Sequence, residues 1–243
     1  MKRYKSGSEI KNLAKCRLTG HFSNAVFALV LVSMVTRAAT NLVITLIPGG
    51  GILWDIIAIL FSTIVSVVLG ILQTGIACYF LNIACGKHAT YNNIFYGFHA
   101  LTEKSLKVSL VRVLAETICL LPYQILFLLF MQTTDTRYLM PTGIALILGY
   151  LILFPIDLAL SQVYYLLLDF PDSSAGEILS TSIRVMKGHK WRLFCLELSF
   201  LPLALLCVLS LGIGFLWLNP YMQMSYTMFF LNLMNPEGTT NEI

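Results

Sequence analysis

The chain has 243 residues, 57% hydrophobic and only 12% charged, with a formal net charge of +4 and a mean hydropathy of +0.79. Soluble domains carry about 25% charged residues, so this composition excludes an ordinary water-facing globule. It predicts an all-α, polytopic transmembrane helical bundle forming a single integral membrane domain over residues 1–243: a basic interfacial segment at 1–21, the bundle at 22–234 and a polar tail at 235–243.

Met1 to Gly20 is basic and polar for too long to be a cleavable signal, and the apolar run that follows from Phe22 past Ile44 reads as a retained span. Within the basic segment, Ser6-Gly7-Ser8-Glu9 has capping-box spacing, with Ile10, Leu13, Ala14 and Leu18 on one face of the helix it starts. A membrane-crossing helix needs about 20 mainly apolar residues. Five stretches qualify: Phe22 to Ile47, ended by Pro48-Gly49-Gly50-Gly51; Leu53 to Ala84; Val108 to Met131; Leu139 to Leu168; and Phe194 to Leu218. Tyr221 to Met234 is apolar but short. Either it lies in the interface, or the fifth helix ends at Gly212-Ile213-Gly214 and the remainder forms a sixth span.

Lys and Arg fall as 6, 1, 4, 1, 4 and 0 across the successive non-spanning segments, which accounts for all 16. This alternation places the N-terminus in the cytoplasm by the positive-inside rule, and the chain in the cell membrane as a multi-pass protein. With five spans the C-terminus is outside; a sixth returns it.

The cytoplasmic segments carry short amphipathic helices of the kind that lie in the headgroup plane. Ser174-Ala175-Gly176-Glu177 repeats the capping box, followed by Ile178, Leu179, Ile183 and Met186. Ile94, Phe95, Phe98 and Leu101 make a weaker stripe. Each segment has a hydrophobic-x-Gly step, at Leu18-Thr19-Gly20, Phe95-Tyr96-Gly97 and Met186-Lys187-Gly188, ahead of an outward-going span. A threefold unit of interfacial helix then span would explain this, although the glycine spacings of 77 and 91 are unequal.

Ionisable residues within spans are costly and mark functional hypotheses. Asp157 sits mid-span just after Pro155, with Ser161, Gln162, Tyr164 and Tyr165 following, so Asp157, Ser161 and Gln162 form the candidate intramembrane polar site. Such a set suits a proton or cation pathway; the simpler reading of Asp157 is an interhelical hydrogen bond or ion pair. Glu116 lies one turn from Arg112, and Glu197 lies close to Arg192, which reads as local charge pairing. Arg37 and Asp55 flank the first external turn.

The four histidines have no metal-ligand spacing, the six cysteines form no C-x-x-C pair, and Gly49-Gly50-Gly51 lacks the Lys of a phosphate loop. We therefore expect no metal, no cofactor and no enzymatic activity. The basic segments suit topology and anionic headgroups better than nucleic acid. The expected partners are membrane lipids and other membrane proteins.

The run Ser182-Ile183-Arg184-Val185-Met186-Lys187-Gly188-His189-Lys190-Trp191-Arg192-Leu193-Phe194, continuing through Phe200, resembles an uncharacterised bacterial integral-membrane family, domain-of-unknown-function family 975. Leu211-Gly212-Ile213-Gly214-Phe215-Leu216-Trp217-Leu218-Asn219-Pro220-Tyr221 is similar to its second hallmark. Met186, Lys187, Gly188, His189, Lys190 and Trp191 form the core of the family-like motif. In the fourth span the family pattern has Pro-Gly where this chain has Pro155-Ile156. The resemblance implies a multispan membrane protein of a Gram-positive bacterium and supplies no reaction or catalytic residue.

Two function classes remain. The first is a non-enzymatic membrane component: a scaffold, a complex partner or a lipid-interacting protein. The second is a small transporter or permease subunit using Asp157. A water-filled cavity reaching Asp157 would favour transport; dry packing around it would favour the first class.

Overall fold

The computed structural model describes residues 4–46 and 51–236, and every regular element among them is helical. The chain begins with α1 (Gly7–Leu18), whose Ser6–Glu9 capping box forms as the spacing predicts. Next come α2 (Phe22–Leu46) and α3 (Ile52–Ala84). A 3-10 turn (Tyr91–Phe95) and α4 (Tyr96–His99) lead into α5 (Thr102–Thr133). After a second 3-10 turn (Thr136–Tyr138) come α6 (Leu139–Leu160) and α7 (Val163–Asp169). The last elements are α8 (Ala175–Met186), α9 (Lys190–Leu198), α10 (Leu201–Leu209) and α11 (Phe215–Met234). The turn expected at Pro48 to Gly50, the end of the first span at Ile47 and most of the polar tail lie outside the described residues.

Five segments are long and apolar enough to cross a membrane: Phe22–Leu42, Leu53–Ala84, Thr102–Thr133, Thr136–Asp169 and Lys190–Leu209. The all-helical class with five such helices therefore holds, with two revisions to the map. The fourth segment is interrupted at Ser161-Gln162, between α6 and α7. The fifth bends at Ser199-Phe200 and stops at Leu209 instead of running to Leu218. Its stop is set by backbone geometry: Leu211 and Gly212 both take the left-handed region, at φ 54° and 86°. The Gly212 N–H then bonds the Cys207 carbonyl at 2.9 Å.

Tyr221 to Met234 is consequently part of one helix, α11, of 20 residues and about 30 Å. It carries Asn219, Gln223 and Asn232, which makes it less apolar than the others, but Met224, Ser225, Thr227, Phe229 and Phe230 are buried within the bundle. Its far end returns to the start of α9, since Asn232 Oδ1 accepts from Arg192 Nη2 at 3.2 Å.

The core is gathered at the end of the bundle where α1 and α8 lie. Ile10, Ala14 and Leu18 of α1 join Phe80, Met186 and Phe229 in one cluster, and Ile178 of α8 joins Val163, Leu166 and Phe230 in another. The stripes of α1 and α8 thus pack in part on the protein's own base, through Ile10, Ala14 and Leu18 and through Ile178 and Met186, while Ile183 of α8 stays exposed. At the opposite end, Leu53, Leu60 and Ile64 of α3 and Ile144, Ile147 and Leu151 of α6 are exposed. Lipid tails are as apolar as leucine, so such faces need no protein cover in a bilayer. Close approach there uses small residues: a Cβ on Gly149 would lie 2.9 Å from the Cys119 carbonyl oxygen.

The first and third expected units agree position by position. Buried Ile10, Ala14, Leu18, Ala25, Ala28 and Val32 correspond to buried Ile178, Ser182, Met186, Leu193, Leu196 and Phe200, each 168 positions further on. Gly20 and Gly188 share φ near +86° and +87°. The middle unit departs. Its connector is a 3-10 turn and four helical residues, Phe95 and Phe98 are exposed, and Gly97 is helical, where it lets the connector approach the Ile71 carbonyl of α3.

Candidate functional site

A cavity of about 240 Å³ lies among the return helices. Gln73 of α3, Gln162 at the α6–α7 break and Gln223 of α11 all line it, so each of the three helical returns delivers one glutamine to a common space. Arg112 of α5, Glu197 of α9, Ser161 and the rings of Tyr164, Tyr165 and Tyr226 complete its polar lining. A second cavity of about 370 Å³ shares Gln73, Ile76, Gln223 and Tyr226 with the first. It continues between α2 and α11, past Ser33, Thr36, Arg37 and Asn219. Arg37, an exposed residue of α2, lines the open side of this second cavity.

The interruption of α6 aims the site. The Ser161 hydroxyl donates to the Leu158 carbonyl at 2.9 Å, so its oxygen accepts from Gln162 Nε2 at 2.8 Å. With the amide in this orientation Gln162 Oε1 has no partner among the described residues, although the residue is 1% exposed. An unmet buried acceptor costs about 1–3 kcal/mol. Nearby, Thr227 spends its own hydroxyl hydrogen on the Gln223 carbonyl, so it accepts from the Tyr165 hydroxyl at 3.1 Å.

Of the three expected site residues, Ser161 and Gln162 line the cavity and Asp157 does not. Asp157 Oδ1 accepts from Arg112 Nη2 at 3.1 Å, an ion pair joining α6 to α5. Arg112 also lies 5.4 Å from the Tyr164 ring centre. The expected Arg112–Glu116 pairing is therefore replaced, because Glu116 points outward, exposed, while Arg112 turns inward. Glu197 likewise does not pair with Arg192. It faces the cavity, and among the described residues no Lys, Arg or His lies within ion-pairing distance of it. Asp55, at the other end of α3, accepts from Gln132 Nε2 at 3.2 Å.

The family-like motif is not at the cavity. It forms the α8–α9 turn at the base, where Met186 is fully buried and Gly188 takes positive φ. Lys187 caps α8, and Lys190 Nζ donates to the Pro155 carbonyl at 3.2 Å. His189 packs edge-on against Tyr4 at 4.5 Å, and Trp191 is 71% exposed. Burial, with the adjacent Arg192 charge, holds the His189 imidazole below its ordinary value. Arg192 Nη2 donates to the Lys5 carbonyl at 2.8 Å, and its guanidinium lies over the Tyr4 ring.

Gln73, Gln223, Tyr226 and the inward side of Glu197 were missed by reading the sequence. The available signal was that each return segment contains a single glutamine. Among the described residues, no three His, Cys, Asp or Glu side chains converge as a metal site.

No curated protein and no solved structure matches this chain. The family model described as "Protein of unknown function (DUF975)" matches residues 1–237, and the chain belongs to that family.

Proposed function

We propose that this protein is a non-enzymatic permease component of the cell membrane, crossing it six times with both termini in the cytoplasm and passing a polar solute through the bundle. One observation carries the reading: two polar cavities meet at Gln73, Gln223 and Tyr226, within helices whose other faces are apolar. Polar groups at membrane depth are tolerated where they line a water-filled space. The transport candidate is therefore displaced from Asp157, which serves to hold Arg112 at the wall, to the glutamines and Glu197. The alternation of basic residues and the return of α11 support the orientation.

Cysteine accessibility tests this reading. In a background with the six native cysteines replaced, Thr36→Cys, Gln73→Cys, Gln223→Cys and Ser161→Cys are exposed to membrane-impermeant thiol reagents in intact cells. Reaction along the series is expected. Protection of all four, with a surface cysteine reacting normally, removes the proposal.

A second reading, association with anionic lipid, draws on a cleft of about 420 Å³ lined by Lys5, Lys11, Arg192 and Trp191. Cations beside an exposed tryptophan suit a headgroup at the interface. Co-purified phospholipid enriched in anionic species, and its loss in Lys5→Glu with Lys11→Glu, is the expected outcome.

A further inference from the structure

We propose that the glutamine-lined cavity binds a small organic ammonium ion, a specification of solute class that rests on the permease reading above. The argument is one of donor and acceptor supply. Gln162 Oε1 is an acceptor with no partner among the described residues, and its amide faces Ser161 through Nε2 while the Ser161 hydroxyl donates to the Leu158 carbonyl. A carboxamide oxygen so placed asks for a donor.

Charge agrees with this. Arg112 and Glu197 line the cavity: Arg112 is matched by Asp157, which lies outside the lining, and Glu197 has no cation within ion-pairing distance among the described residues. The guanidinium is thus already committed, and a carboxylate is left facing the space. An anionic solute would meet Glu197 without a free cation to receive it. A neutral solute would leave the carboxylate uncompensated at membrane depth, a costly arrangement. A positively charged donor satisfies both groups at once.

The aromatic lining separates an organic cation from a metal ion. Tyr164, Tyr165 and Tyr226 all reach the cavity, and ring faces attract ammonium groups while also packing their carbon substituents. Ile76, Ala77 and Leu193 supply the apolar remainder. About 240 Å³ is room for a multi-atom solute, and far more than a bare monovalent ion occupies.

Full-length protein in lipid nanodiscs, titrated calorimetrically with benzylammonium, tests the inference, with benzyl alcohol and benzoate as neutral and anionic isosteres. Benzylammonium is expected to bind at least about tenfold more tightly than either. Glu197→Gln should weaken it by a similar factor, and Gln162→Glu, which adds acceptor charge at the same point, should tighten it. Equal binding of benzyl alcohol, or an unchanged affinity in folded Glu197→Gln, overturns the inference. So does potassium binding with the same Glu197 dependence, which would make this an inorganic-cation site. Because binding is read at equilibrium without a gradient, reactive pathway cysteines with no ammonium binding sink this inference alone. Unreactive cysteines sink the permease reading whatever binds.

Discussion

Arg192 at the start of α9 and Asn232 at the end of α11 are joined by a 3.2 Å hydrogen bond from Nη2 to Oδ1. The same oxygen accepts from the Lys5 backbone N–H at 3.2 Å. One carboxamide therefore ties together the N-terminal segment, the fifth apolar helix and the return helix. Asn232→Leu leaves both donors short of an acceptor and is expected to destabilise by about 1–3 kcal/mol. Asn232→Asp keeps the acceptor and should stay near wild type. Thermal unfolding in detergent compares them; equal loss in both variants would show that shape, not acceptance, matters there.

The Arg112–Asp157 pair carries a second prediction. Its side chains are 31% and 48% exposed, so solvent screening limits the pair itself to about 1 kcal/mol. Asp157→Asn should cost about that, and Arg112→Met with Asp157→Leu should cost less than the two single changes summed. Strict additivity in a double-mutant cycle would mean the two groups do not act on each other.

Gly75 of α3 packs directly against the 3-10 turn before α4, and a Cβ there would fall on the Ile94 carbonyl. Backbone cannot move aside as a flexible side chain does. Gly75→Ala is therefore expected to be among the most damaging single-atom additions, by more than about 3 kcal/mol or by loss of folded yield. Gly143 of α6 has open space where its Cβ would be, so Gly143→Ala should be neutral or gain about 0.5–1 kcal/mol from helix propensity. Size-exclusion profiles and unfolding temperatures report the contrast.

The His189 imidazole is held below its ordinary value by burial and by Arg192. A histidine whose folded pKa lies below its unfolded pKa contributes fully above the unfolded value, about 6.5. That contribution is lost as pH falls from there through the lowered folded value. Wild type should therefore lose more stability between pH 8 and 5 than His189→Gln, which cannot titrate there. Parallel unfolding curves for the two proteins across that range would remove His189 as the cause.

Much of this architecture is legible in the residues themselves. Hydrophobic length gives the apolar helices, because about 30 Å of hydrocarbon can be crossed only by backbone bonded to itself. The two capping boxes give the starts of α1 and α8, since Ser and Glu three residues apart satisfy the same backbone donors wherever they occur. Local chemistry also places Gly20 and Gly188 at turns. By contrast, Glu116 and Glu197 sit near arginines in sequence, and that proximity misled, because helix rotation turns Arg112 toward Asp157 and Arg192 toward Asn232.

Which polar groups share a space is settled by how the helices pack. Gln73, Gln162 and Gln223 are separated by many tens of residues, and nothing in their local neighbourhoods distinguishes a cavity wall from a lipid-facing lapse. The same holds for Tyr221 to Met234, an apolar run too short by itself to read as a span, which the structure gives as part of the 20-residue α11 packed within the bundle. Composition fixes where a helix can live, because transfer energy depends on each residue alone. The partner of a buried polar group depends on helix rotation and packing, which are properties of the assembled bundle.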